Sequence, residues 1–303
     1  MLKKLILSIC VTSACAYTLN LAADQDKAET NKEIGFIAGT ESPNQPLYAA
    51  SMLNDIEKVK ALLKDKADIN APYTNGVTAL MVAAGNGYQD LFDLLIEKGA
   101  NKDKLDNNDR SALTYAVQYN QVAMTKHLLA KGFDANHADG NGMTPLMIAA
   151  GLGNQDIVNL LVEHKVDLNR IDQLGRDALH HAVEAGQTPL VDSLIAAGSK
   201  IDLRNNNQET ALMRSSYMGF QQITESLLKA KSNINAQNVY GSTPLMFAVT
   251  GGRIHIVEAL LKHNPDLNLK DVKGKTALDF AMTRNFKKIT QLLKDSTQQA
   301  SAE

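Results

Sequence analysis

Apolar positions fall on two combs that run along almost the whole chain. Stepping by 33 residues gives Leu47, Leu80, Leu113, Leu146, Leu179, Leu212, Leu245 and Leu278. A second series with the same step gives Leu62, Leu95, Leu128, Leu161, Leu194, Leu227, Leu260 and Leu293. A fixed period of this size, kept without an insertion, marks a stacked array in which each unit buries its apolar face against its neighbours. Within one unit the spacing predicts two helices. Thr144-Pro145-Leu146 starts the first, with Thr144 placed to cap orphan backbone N–H groups and Pro145 where its missing N–H costs nothing. Leu146 to Ala150 continues it with small residues, and Gly153 ends it. Ile157, Val158, Leu160 and Leu161 then recur at the spacing of one face of a second, amphipathic helix.

The turn between the two helices carries Asn54, Gly87, Asn120, Gly153, Gly186, Gly219, Gly252 and Asn285 at the same step. Only glycine and asparagine appear, the two residues for which a left-handed backbone is cheapest. The same turn geometry is therefore expected eight times over.

The Thr-Pro-Leu tripeptides 144–146 and 243–245, the period and the helix–turn–helix pattern resemble ankyrin repeats. So does the closing Asp-x-Asn of Asp68-Ile69-Asn70, Asp134-Ala135-Asn136, Asp167-Leu168-Asn169 and Asp266-Leu267-Asn268. The resemblance covers roughly residues 40–295. It departs from the family in that the His after Thr-Pro-Leu survives only as His180, and Pro gives way to Ala79, Ala112, Ala178, Ala211 and Ala277. The fold it implies is an all-α solenoid of eight repeats, each an antiparallel helix pair with a hairpin loop to one side. The function it implies is binding of a protein partner on the concave face, without catalysis. Repeat one carries Pro43 and Lys58, and repeat eight Lys294, where inner repeats have turn or apolar residues. A polar outer face is what a terminal cap requires, so a complete array with its own caps is expected.

Repeats five and six break the apolar pattern. Where other repeats carry Ala49, Val82, Tyr115, Ile148, Phe247 and Phe280, these two carry His181 and Arg214, neighbours at the repeat spacing. Arg214 needs solvent or a partner, since an unpaired buried cation is costly, and Glu184, one helical turn from His181, is the candidate partner. One reading is a polar network that tunes packing; the other is the centre of a binding patch. Groove position and residue type give the candidate contacts Arg110, Tyr119, Leu152, Arg176, Glu184, Arg214, Tyr217, Met218 and Tyr240, with aromatic, Met and Arg side chains the types enriched at binding hot spots.

The first residues bear on compartment. Lys3 and Lys4 precede an apolar stretch beginning Leu5 to Val11, too short to span a bilayer, followed by small residues up to Leu21-Ala22-Ala23. Residues 1–23 are thus expected to be a secretory signal peptide, with cleavage after Ala23 or, second, after Ala16. Cys15 sits in a loose lipobox, so a lipid anchor there is the variant reading. Both cysteines, Cys10 and Cys15, lie in this segment, and the mature chain would carry no thiol. A periplasmic or secreted, monomeric protein follows from these expectations. An effector that leaves the envelope to bind host proteins is the alternative. Residues 24–39 read as a polar leader and 296–303 as a disordered tail.

The formal net charge is −2, and losing Lys3 and Lys4 would make the mature chain more acidic. No basic stripe suggests nucleic acid. Seven histidines scatter over several repeats, and the adjacent pair His180-His181 cannot face one site on a helix. No nucleophile motif, phosphate loop or zinc motif appears, so no catalytic residue, metal or cofactor is expected.

Overall fold

The computed structural model describes residues 45–300; the expected signal peptide and leader, with Cys15 and Pro43, lie outside the described residues. Sixteen α-helices and no strand occur among the described residues, in eight antiparallel pairs. Repeats one to four contribute α1 (Gln45–Met52) and α2 (Ile56–Lys64), α3 (Ala79–Asn86) and α4 (Gln89–Glu97), α5 (Ala112–Gln118) and α6 (Val122–Ala130), and α7 (Pro145–Leu152) and α8 (Gln155–Glu163). Repeats five and six contribute α9 (Ala178–Glu184) and α10 (Thr188–Ala196), then α11 (Ala211–Met218) and α12 (Gln221–Lys229). The last two contribute α13 (Pro244–Thr250) and α14 (Ile254–Leu261), then α15 (Ala277–Thr283) and α16 (Lys287–Ala300). The first helix of each repeat packs on the first helices of its neighbours, and second helices on second helices.

Local chemistry starts and stops these helices as the periodicity predicts. Thr144 accepts a hydrogen bond from the Met147 N–H, and Pro145 occupies the first helical turn. The same cap is made by Thr78, Ser111, Asp177, Thr210, Thr243 and Thr276. All eight inter-helix turn residues, from Asn54 to Asn285, have positive φ. At Gly219 a side chain would be excluded twice over: φ is 83°, and a Cβ would stand 2.7 Å from Cδ of Arg253.

Both leucine combs point inward. Leu113, Leu146, Leu212, Leu95, Leu161 and Leu227 are essentially inaccessible, and they join one core that runs from Leu47 to Leu293. Burying each such side chain is worth roughly 1.5–3 kcal/mol. Lys58 and Lys294 are exposed on the outer faces of the terminal repeats. The C-terminus differs from expectation, because α16 continues to Ala300, into the segment read as a disordered tail. Ser296 and Thr297 each donate a hydroxyl hydrogen bond to a carbonyl one turn back, of Leu292 and Leu293.

Candidate protein-binding face

The hairpin loops that overhang the first helices are built on a second column of acids and amides. Asp106, Asp139, Asp172, Asn205, Asn238 and Asp271 stand 33 residues apart. In each, Oδ1 accepts the backbone N–H groups two and four residues on, as in Asp139 with Asn141 and Met143 at 2.9 Å each. Successive hairpins are then tied together by backbone bonds, Gly140 N–H to Asn108 C=O at 2.8 Å and Val272 N–H to Tyr240 C=O at 3.0 Å being two of the series. The Asp-x-Asn motif completes the linkage: the Asn136 side chain accepts the Asp167 N–H of the next repeat at 2.9 Å, and Asn169 accepts that of Lys200 at 2.8 Å. The 33-residue spacing of this column ahead of the Thr cap is the sequence signal that identifies its members as turn acceptors.

In repeats five and six the residues singled out from sequence do come together, but as an internal network. Arg176 is only 6 % exposed. Its Nε and one terminal nitrogen donate to Asp172 Oδ2 at 2.9 and 2.7 Å, and the other terminal nitrogen donates to Glu184 Oε2 at 2.9 Å. His181 Nε2 lies 3.1 Å from the same Asp172 oxygen, and Arg214 Nε lies 3.4 Å from Glu184 Oε1. Burial opposes the charge on Asp172, but the bonds from His181 and from Arg176 outweigh it and hold the carboxyl below the usual carboxylate range. Arg176 was expected in the groove as a contact residue. It is instead consumed by carboxylates from the hairpin and from α9, because an acid four residues earlier and another eight residues later converge on it. His180 points elsewhere, with Nδ1 2.7 Å from the cap Asp177 and Nε2 3.3 Å from the Glu209 carbonyl.

Repeat three repeats the motif. Arg110 donates to Asp106 at 2.8 Å, to Gln118 at 3.3 Å and to the Tyr115 hydroxyl at 3.0 Å, and its guanidinium stands 4.8 Å from the centre of the Tyr115 ring. The Tyr115 hydroxyl donates onward to Asp106 at 2.8 Å. Burial, and then the charge of Asp106, push that hydroxyl's pKa well up despite Arg110. Tyr119 stacks at 6.3 Å on Tyr115 and is half-buried, as are Leu152, Tyr217 and Met218. Tyr240 is set apart from them, at a hairpin tip, 60 % exposed. The nine candidate residues are therefore spread over the array rather than gathered at one point. Among the described residues no group of His, Cys, Asp and Glu is arranged to hold a metal ion, and no helix is long and apolar enough to cross a membrane.

Stacked helix pairs, left-handed turns and linked hairpins define a repeat solenoid of the interaction-module class. The family described as "Ankyrin repeats (3 copies)" matches in overlapping windows, residues 15–106, 47–139, 86–172, 113–205, 164–238 and 212–302, and the chain belongs to this family. Two ankyrin repeat proteins of Rickettsia felis are each 45 % identical over 51 residues, which is 17 % of this chain and 81 % and 77 % of theirs. A tyrosine-protein kinase of Hydra vulgaris is 35 % identical over 86 residues, 27 % of this chain. The chain spans only 11 % of the length of that kinase. Ankyrin repeats mark the chain as a protein–protein interaction module.

Proposed function

We propose that the protein is exported and binds a protein partner on the concave side of its array, without catalysing a reaction. The observation that carries this is the division of labour in the groove. The acids and guanidinium groups of repeats three, five and six satisfy one another, at Arg110–Asp106, Arg176–Asp172 and Arg176–Glu184, while Tyr217, Met218 and Tyr240 are left reaching solvent. Paired charge fixes the hairpins rigidly against the helices, and a rigid face with accessible aromatic anchors binds with little ordering cost. Export is supported by the Lys3-Lys4 start, the short apolar run and the confinement of both cysteines to residues 1–23. Protecting or inhibiting an enzyme or toxin of the envelope is one concrete form of the activity.

Fractionation of the native cell with mass analysis of the mature N-terminus tests export. A start at Asp24 in the periplasm supports it, a lipid-modified Cys15 replaces it with an anchored form, and an intact N-terminus in the cytoplasm overturns it. Affinity capture from envelope extract tests binding, with a Tyr217→Ala/Met218→Ala variant beside the native chain. A stoichiometric partner lost with that variant supports the groove, and a partner retained unchanged removes it.

A further inference from the structure

The two ends of the concave face differ in a way that selects a partner. In repeats two to five the groove column of the first helices, Val82, Tyr115, Ile148 and His181, is buried. In repeats seven and eight the equivalent Phe247 and Phe280 are half-open to solvent. The hairpin tips change at the same place. Positions that are Thr74, Asn107, Gly140, Gln173 and Asn206 become Val239 and Val272, the latter 68 % exposed, and Tyr240 stands beside them. Two apolar rows, one on the tips and one on the helices, thus run across adjacent repeats; the equivalent column residues Tyr115 and His181 reach the hairpin acids Asp106 and Asp172, which puts the helix row on the hairpin side of a shared trough.

Charge follows the same division. The arginines of repeats three, five and six lie beside carboxylates. Around the trough, Lys273 and Arg284 are exposed and neither forms an ion pair among the described residues, while half-exposed Lys275 lies close enough to Asp279 to help lower its pKa. The local acids are committed: Asp271 accepts the N–H groups of Lys273 and Lys275, and Asp279 accepts from the backbone and hydroxyl of Thr276. We infer that the trough over repeats seven and eight takes an acidic, extended polypeptide segment that carries apolar or aromatic anchors. The inference rests on the concave-face reading above and locates it at the C-terminal end. Anchors fill the two apolar rows, and flanking carboxylates meet cations that have no internal partner. Apolar rows on both a hairpin and a helix suit a polypeptide segment better than the broad plane of a lipid surface.

The test pans the full chain against a display library of random short peptides, with vesicles of phosphatidylglycerol as a separate arm. Enriched peptides are expected to combine acidic residues with Phe, Tyr, Leu or Ile. Their affinity is expected to fall about tenfold or more in Tyr240→Ser/Val272→Ser and in Lys273→Glu/Arg284→Glu. All four positions are exposed, so these variants keep the native melting curve. Peptides that still bind these variants but are lost with Tyr119→Ser/Leu152→Ser would overturn the location and leave concave-face binding standing. Absence of enrichment, enrichment of basic peptides, or binding to vesicles alone would overturn the proposal itself.

Discussion

Asp139 and Asp172 occupy the same place in successive repeats and live in opposite electrostatic worlds. Each accepts two backbone N–H groups, but the residue four positions on is Arg176 for Asp172 and Met143 for Asp139. Burial therefore prevails at Asp139 and raises its pKa, whereas His181 and Arg176 override burial at Asp172 and lower it. A raised carboxyl pKa means the charged form is disfavoured by folding, so Asp139 costs stability at neutral pH and the cost fades as pH falls through its folded value. Repeats six and seven already use Asn205 and Asn238 there. Asp139→Asn is expected to leave stability unchanged or raise it by up to about 1 kcal/mol in urea unfolding at pH 7. Asp172→Asn, which removes one of the two carboxylates beside buried Arg176 and leaves Glu184, is expected to cost about 1–3 kcal/mol. Equal effects at the two sites would refute this account.

His180 gives a second test at the same scale. Burial opposes its charge, but the hydrogen bond and charge of Asp177 and the bond to the Glu209 carbonyl raise its pKa above the ordinary 6.5. Its contribution is thus fully present below pH 6.5 and is lost as pH rises through the raised value. The native protein should lose melting temperature over that rise relative to His180→Gln, and parallel curves would dismiss the pair.

Among elements, the helices and their turns were legible in sequence because each rests on local chemistry. A Thr or Ser three residues before an N–H, or an Asn or Gly where φ must be positive, needs no knowledge of neighbours. Gly153→Ala tests this directly. With φ at 78° and Gln187 Nε2 3.1 Å from the new Cβ, it is expected to cost about 1–2 kcal/mol by denaturant titration. The groove was less legible. Arg110 and Arg176 have the residue type of a hot spot, and only the fold shows that the acceptors enclosing them arrive from both the hairpin and the helix that follows. Val239 and Val272 went unremarked, and Phe247 and Phe280 read as ordinary apolar members of their column, for the converse reason. An apolar residue in a repeat column reads as core until its exposure is known.

At the scale of the whole molecule, each repeat touches chiefly the repeats on either side. Damage should therefore stay local. Leu293 is 2 % exposed in the last helix. Leu293→Ala removes about 2–5 kcal/mol of local packing. Amide hydrogen exchange should quicken in repeat eight and leave repeats three and four unchanged; uniform loss of protection would show a cooperative unit instead.

The backbone bonds that join hairpin to hairpin make the array a ruler. Packed helices advance by about 8–10 Å, and a polyproline II segment rises about 3.1 Å per residue with three residues per turn. Such an extended segment laid along the tips presents the same face to the repeats at every third residue, about 9 Å on. Val239 and Val272 mark two adjacent graduations, and a ligand with anchors three apart reads both, whereas alternate-residue spacing falls between them.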